Sequence, residues 1–334
     1  MKTSEMKSSL LLLLTAFIWG VAFVAQSVGL DYVGAMTFNG SRFLLGGTVL
    51  LPLIYWRRKK GLKGRQAGAS VLGAKEEKEE QQGGYPGKQI KATLVGGLCC
   101  GLVLCMASCL QQYGMQHTTV GKAGFITALY IVIVPVLGIF LKKKVSPLVW
   151  AGVLLAVIGL YFLCITKGLQ IGKGDILVFG CAVCFSVHIL IIDYFAPRAD
   201  GVELSCIQFY VSGIICTAAA FILEKPTWAG MVAGAVPILY AGIFSCGVAY
   251  TLQVVGQARV NPTVASMILS LESVISVLAG WVLLRETLTT RQLIGCVLVF
   301  CAVILAQLPW PLNGGMRAKT DRSCIKKFQP VKEE

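Results

Sequence analysis

Long stretches without charge are the strongest constraint on this chain. Residues 8–30, 92–121, 123–141, 145–166, 204–223, 226–258 and 292–316 contain no Asp, Glu, Lys or Arg. About 20 apolar residues in a helix cross roughly 30 Å of hydrocarbon. With no water there, the backbone must satisfy its own hydrogen bonds, so such runs become helices. Shorter runs interrupted by one charge complete a set of ten expected spans: 10–30, 35–56, 92–112, 120–141, 147–165, 175–194, 203–223, 233–254, 261–283 and 290–308. The fold class expected is therefore an all-α polytopic membrane protein with ten transmembrane helices. Composition agrees. The chain is 56% apolar and 14% charged, against about 25% charged in an ordinary soluble domain. The first span follows Lys2 and Lys7 with no convincing small-residue cleavage site, and reads as a retained signal anchor.

The charge excess of +14 would suggest nucleic acid in a soluble protein. Here the basic residues fall between apolar runs, so the bilayer surface accounts for them and no nucleic-acid partner is expected. With the amino terminus in the cytoplasm, inside segments hold 23 Lys and Arg and outside segments hold 6, with Arg42 inside a span. That asymmetry places both termini in the cytoplasm and requires an even number of crossings. The expected location is the cell (plasma or inner) membrane. Residues 57–91, from Arg57-Arg58-Lys59-Lys60 to a Lys/Glu-rich run, read as a flexible cytoplasmic linker, and 309–334 as a basic cytoplasmic tail. The 13 cysteines show no zinc-finger spacing. All but Cys324 lie in apolar runs and read as small buried hydrophobes. No metal or cofactor is expected.

Sliding the sequence on itself by 142 residues aligns 110–141 with 252–283 and matches ten of 32 positions, among them Leu110/Leu252, Gln111/Gln253, Gly114/Gly256 and Gly138/Gly280. These segments run from the third span to the fourth and from the eighth to the ninth, so the chain reads as five spans repeated, 1–168 and 169–308. Five is odd, so the second copy enters the membrane from the opposite side. The result is an inverted repeat, a common architecture of secondary transporters.

Several motifs then converge. Ile18-Trp19-Gly20 sits within the first span and Ser41-Arg42-Phe43-Leu44 in the second. Gly174-Asp175 opens the sixth, which contains Phe185-Ser186-Val187-His188. Gln208-Phe209, Ser270-Leu271-Glu272-Ser273-Val274, Gly280-Trp281, Arg285-Glu286-Thr287-Leu288 and Gln292-Leu293-Ile294-Gly295 follow. Together they resemble the EamA-type family of the drug/metabolite transporter superfamily over nearly all of 8–308. Phe185 stands where that family often has Trp, Lys144 where many members carry Glu, and Ser273 where Glu-Pro is frequent. The resemblance implies a central substrate cavity and transport of small metabolites without ATP.

Ionisable groups at bilayer depth are costly, about 2.5–3.5 kcal/mol on insertion scales, and they face protein or water. Glu272 lies near the middle of its span, with Tyr130 as its repeat partner. Both are read as bordering the cavity, Glu272 binding a cationic group or a proton; the alternative is a structural carboxyl tied between helices. Trp19, His188 and Tyr250 complete the expected substrate cavity, with packing as the rival role for Trp19 and His188. Asn39, Arg42, Gln111 and Gln253 are read as gating or structural polar groups. The catalytic motifs HExxH, GxxxxGK[ST] and GxSxG do not occur, so an enzyme is not expected. The reading is a secondary transporter, expected to be an exporter, of small organic metabolites such as amino acids or amphipathic compounds, with the proton as first candidate for coupling. The rivals are a membrane enzyme or lipid-handling protein, and a non-transporting scaffold.

Overall fold

The computed structural model describes residues 3–71, 86–118, 120–141, 145–164, 172–283, 285 and 289–308. The basic tail 309–334, Lys144 and residues 72–85 of the linker lie outside the described residues. Among the described residues the secondary structure is helical: α1 (Thr3–Gly29), α2 (Ala35–Val71), α3 (Pro86–Met115), α4 (Val120–Phe140), α5 (Pro147–Cys164), α6 (Lys173–Phe195), α7 (Gly201–Leu223), α8 (Ala235–Gln257), α9 (Pro262–Leu283) and α10 (Thr290–Gln307). A six-residue helix, Trp228–Ala233, precedes α8. Seven helices, α1, α3, α4 and α6 to α9, are long and apolar enough to cross a membrane. Helices α5 and α10 carry shorter apolar segments.

Two expectations are revised at the linker. Helix α2 continues to Val71 rather than ending near 56, and α3 begins at Pro86. No proline falls between Pro52 and Pro86, and Lys, Arg, Gln and Ala are adequate helix formers. Proline at the first helical position lacks an N–H that would have no helical partner there anyway.

Contacts at the helix ends fix the alternation of direction. Glu224, just past α7, accepts hydrogen bonds from the backbone N–H groups of Met36 and Thr37 at the start of α2. Lys122 at the start of α4 pairs with Asp175 at the start of α6. These contacts define one end of the bundle, here the distal end. At the proximal end Asp200 caps α7 by accepting from the Val202 and Glu203 N–H groups and pairs with Arg57. Arg58 pairs with Glu203 at 2.8 Å. The hydrogen bond to Glu203 raises the Arg58 pKa above its ordinary value. These ion pairs are largely solvated and add little stability.

Packing follows a regular pattern. Helix α5 packs on α10, α2 on α7 and α8, α3 on α6 and α7, α1 on α8 and α9, and α4 on α6. Advancing every label by five, with counting resumed at α1 after α10, returns the same pattern. The α3–α6 pair becomes α8–α1, α2–α8 becomes α7–α3, and α1–α9 becomes α6–α4. The α2–α7 and α5–α10 pairs map onto themselves.

Close approach depends on small residues, as in other membrane bundles. A Cβ at Gly101 of α3 would lie 2.7 Å from Val211 Cβ and 2.9 Å from the Gln208 carbonyl of α7. At Gly121, by contrast, nothing lies within 4 Å of an added Cβ. Outward faces carry large apolar side chains such as Phe17, Leu102, Phe179 and Phe300, which suits lipid contact.

Overpacking a tight contact costs about 1–3 kcal/mol. Gly101→Val is therefore expected to lower the thermal unfolding midpoint in detergent clearly, while Gly121→Ala leaves it within about a degree. Fluorescence-detected size-exclusion after heating measures both.

Candidate functional site

Among the described residues, α4, α8 and α9 depart from regular geometry where they border one cavity. Helix α4 is interrupted at Leu129, between Val120–Ala128 and Tyr130–Phe140. Helix α9 is interrupted at Ser270, between Pro262–Leu269 and Leu271–Leu283. In the 142-residue register these breaks fall one position apart. At each, hydrogen bonds tighten to three-residue spacing, from Val132 N to the Leu129 carbonyl and from Ser273 N to the Ser270 carbonyl. The α9 break is lined by serines whose hydroxyls donate three residues back: Ser270 to Met267, Ser273 to Ser270 and Ser276 to Ser273. Proline at 135, without an N–H, leaves the Ile131 carbonyl without its usual helical donor. In α8, Tyr240–Tyr250 winds as a π-helix, a form concentrated at functional positions.

Just past the two breaks, side chains of α4 and α9 meet. Tyr130 Oη donates to Glu272 Oε1 at 2.9 Å, and both residues are buried. Gly20 of α1 lets the chain approach this point, since a Cβ there would sit 2.8 Å from the Glu272 carbonyl. In the π-helix, the Ser245 carbonyl accepts from Trp19 Nε1 at 3.3 Å. The rings of Trp19 and Tyr250 meet at 4.5 Å.

These groups line a narrow pocket, part of it open to the surroundings. Its wall comprises Trp19, Phe23 and Gln26 of α1, Arg42 of α2, Gln111 of α3, Thr127 of α4, Phe185 of α6, Ser245 and Tyr250 of α8, and Glu272 of α9. The lining runs from Phe185, Tyr250 and Glu272 near mid-bundle to Gln26, Gln111 and Thr127 toward the distal end. Arg42 is 2% exposed and donates from Nη1 to Gln26 Oε1 at 2.9 Å. Its guanidinium lies 4.9 Å from the Phe43 ring centre and 5.7 Å from that of Phe38. Arg42 Nε has no hydrogen-bond partner among the described residues. A buried guanidinium held by aromatic faces and one amide can accept an anionic group from the cavity with little reorganisation. A carboxyl at the same depth can take a cation or a proton.

Toward the proximal end the bundle is packed. Thr15 Oγ1 donates to the Ala249 carbonyl at 3.1 Å, and a Cβ at Gly256 would touch Leu12 at 3.1 Å. Gln257 Nε2 donates to the Ile189 carbonyl.

The structure thus brings together Trp19, Arg42, Gln111, Tyr250 and Glu272 on one cavity wall. Tyr130 stands behind Glu272. His188 is fully buried beneath the cavity, 3.1 Å from Gln208 Oε1, with its ring centre 6.1 Å from that of Tyr250. Asn39 Nδ2 donates to the Ser108 carbonyl, tying α2 to α3. Gln111 Nε2 donates to Thr127 Oγ1 at 3.3 Å, while Gln253 is buried in the packed proximal half. Sequence reasoning passed over Phe23, Gln26, Thr127, Phe185 and Ser245 as lining residues. Gln26 was legible as a lone amide in an apolar span; Ser245 enters through its carbonyl, which no side-chain pattern shows.

Comparison with known proteins places this geometry in a class, that of multi-pass membrane transporters. The EamA-like transporter family matches residues 6–165 and 172–308, so the chain belongs to that family. An uncharacterized transporter of Archaeoglobus fulgidus is 29% identical over 305 residues, covering 89% of this chain and 84% of the relative. The uncharacterized transporter YoaV of Bacillus subtilis is 22% identical over 294 residues, covering 86% and 92%. A solved crystal structure superposes with a TM-score of 0.68 at 17% identity, covering 90% of this chain and 96% of that one, which shows the shared fold.

Removing the Tyr130 hydroxyl leaves Glu272 without that donor. Interhelical hydrogen bonds in membranes are worth about 0.6–1.7 kcal/mol. Tyr130→Phe is expected to lower unfolding stability by about that amount, and Ser205→Ala, whose hydroxyl bonds within its own helix, by less. Unfolding in mixed micelles measures both.

Proposed function

We propose that this protein is a secondary transporter, working as an exporter, of small amphipathic metabolites that carry both charges, such as amino acids. One observation carries the reading: Arg42 and Glu272 share a mid-bundle cavity whose other wall residues are half aromatic and half uncharged polar. A carboxylate would meet Arg42, an ammonium group or a proton would meet Glu272, and an apolar side chain would lie against Trp19, Phe23, Phe185 and Tyr250. A cavity lined this way also favours transport over a scaffold, which needs no solute space between its helices.

The mechanism proposed is alternating access by two five-helix halves, 1–168 and 169–308, inverted with respect to each other and crossing the membrane ten times. The self-mapping packing pattern and the family's match in two segments support it. The distal end then faces outside and the proximal end the cytoplasm of a cell membrane. The described geometry corresponds to a state closed at the cytoplasmic end. In this reading Arg57–Asp200 and Arg58–Glu203 belong to the cytoplasmic closure. Coupling is assigned to a proton on Glu272.

In vesicles preloaded with a mixture of amino acids and dipeptides, efflux is expected to require the wild-type chain and to depend on pH. Glu272→Gln is expected to abolish the pH dependence, and Arg42→Gln to cut transport of carboxylate-bearing solutes at least tenfold. Unchanged rate and pH dependence in Glu272→Gln would remove the carboxyl from the mechanism. Reporter tags are expected to place both termini on the cytoplasmic side; ends on opposite sides would overturn the ten-crossing topology.

A further inference from the structure

Behind the Arg42 wall lies a cluster of sulfur atoms outside the transport cavity. Cys105 and Cys109 are four residues apart on α3, which places them on one helix face. Cys216 of α7 faces both, its Sγ 3.6 Å from that of Cys105 and 3.7 Å from that of Cys109. The three sulfurs lie within 4.8 Å of one another. Met36 of α2 completes the group, its Sδ 3.5 Å from Cys109 Sγ. Cys105 and Cys216 are buried and Cys109 is half-buried.

Cysteines packed merely as small hydrophobes have no reason to converge from two helices with a thioether added. A metal–sulfur bond of about 2.3 Å in tetrahedral geometry sets sulfur–sulfur edges of about 3.8 Å. Three of the six edges, at 3.5, 3.6 and 3.7 Å, lie near that value. We propose that Cys105, Cys109, Cys216 and Met36 form a binding site for a soft monovalent metal ion of the Cu(I) type.

The chemistry of the donors selects the ion. Thiolate and thioether ligands favour Cu(I), whereas carboxylate and water ligands suit hard cations. Each thiol that ligates as thiolate releases its proton to solvent, so binding strengthens as pH rises. Three thiolates around a monovalent ion leave two negative charges. Arg42 is within electrostatic range of Cys109 and offsets one of them. Cys109, half-buried, is the point from which an ion is passed inward. The ligands come from α2 and α3 on one side and α7 on the other, so a bound ion clamps helices from the two family-matched segments together.

The test uses the full chain, reduced and anaerobic, in lipid nanodiscs, titrated with Cu(I) against a Cu(I) chelator. The chain has 13 cysteines, so the competitor removes weakly held ions. Wild type is expected to retain one Cu(I) per chain, with sulfur scatterers in its X-ray absorption spectrum and a raised melting temperature. Cys216→Ser and Cys105→Ser are expected to lose that ion, Met36→Leu to weaken its binding at least tenfold, and Cys296→Ser, a buried cysteine in a different part of the core, to keep it. Melting of each variant without metal reports whether it has folded. Equal Cu(I) retention in a folded Cys216→Ser variant overturns the site. So does preferential retention of Zn(II), or an ion whose scatterers are only oxygen and nitrogen.

Discussion

A charged or polar side chain in hydrocarbon must find its partners within the protein, and that requirement organises this bundle. Glu272 takes its hydrogen bond from Tyr130, which joins α9 to α4. Arg42 takes Gln26 and two phenyl faces, which joins α2 to α1. His188 takes Gln208, which joins α6 to α7. Each pair lies at an interface that apolar packing alone would leave free to slide, because lipid tails are as apolar as leucine. The polar pairs therefore fix register as well as chemistry. Of these groups, Arg42 and Glu272 are the ionisable ones that reach the cavity wall.

Small residues and helix interruptions make room for those pairs. Gly20 brings α1 against Glu272, and Gly242 brings α8 to α2, where an added Cβ would meet Leu45 at 2.5 Å. The breaks at Leu129 and Ser270 turn Tyr130 and Glu272 toward one another. The π-helix of α8 leaves the Ser245 carbonyl to take the Trp19 indole. Interrupted backbone is tolerated at this depth only where protein or a water-filled cavity satisfies it, so the interruptions and the cavity occur together for one physical reason.

Much of this was legible in the sequence. Charge-free runs marked the long apolar helices, and the 142-residue register paired Tyr130 with Glu272, which the structure brings into contact. The interruptions were not legible. The α9 break has no proline or glycine at 270, only serines whose hydroxyls compete for backbone carbonyls, and periodicity is blind to that. The continuation of α2 to Val71 was missed because charge ends a membrane span without ending a helix. The thiol cluster was missed for a different reason. Cys105 and Cys109 looked like ordinary apolar filler until Cys216, more than a hundred residues away, was brought against them.

The polarity of the cavity bears most directly on mechanism. Gln111 and Gln253 are equivalent in the 142-residue register. One hydrogen-bonds to Thr127 on the open wall, while the other is sealed in the proximal half, where its Oε1 has no partner among the described residues. Two copies of one local sequence thus occupy different environments in a single conformation. If the halves are inverted copies, as proposed, exchanging their conformations would open Gln253 to the opposite side and close Gln111. Such an exchange alters no covalent bond and replaces each interface with one of the same type, so the two states differ little in free energy. A solute or a proton that binds one state better by a few kcal/mol is then enough to shift the population, and no nucleotide is needed to drive it.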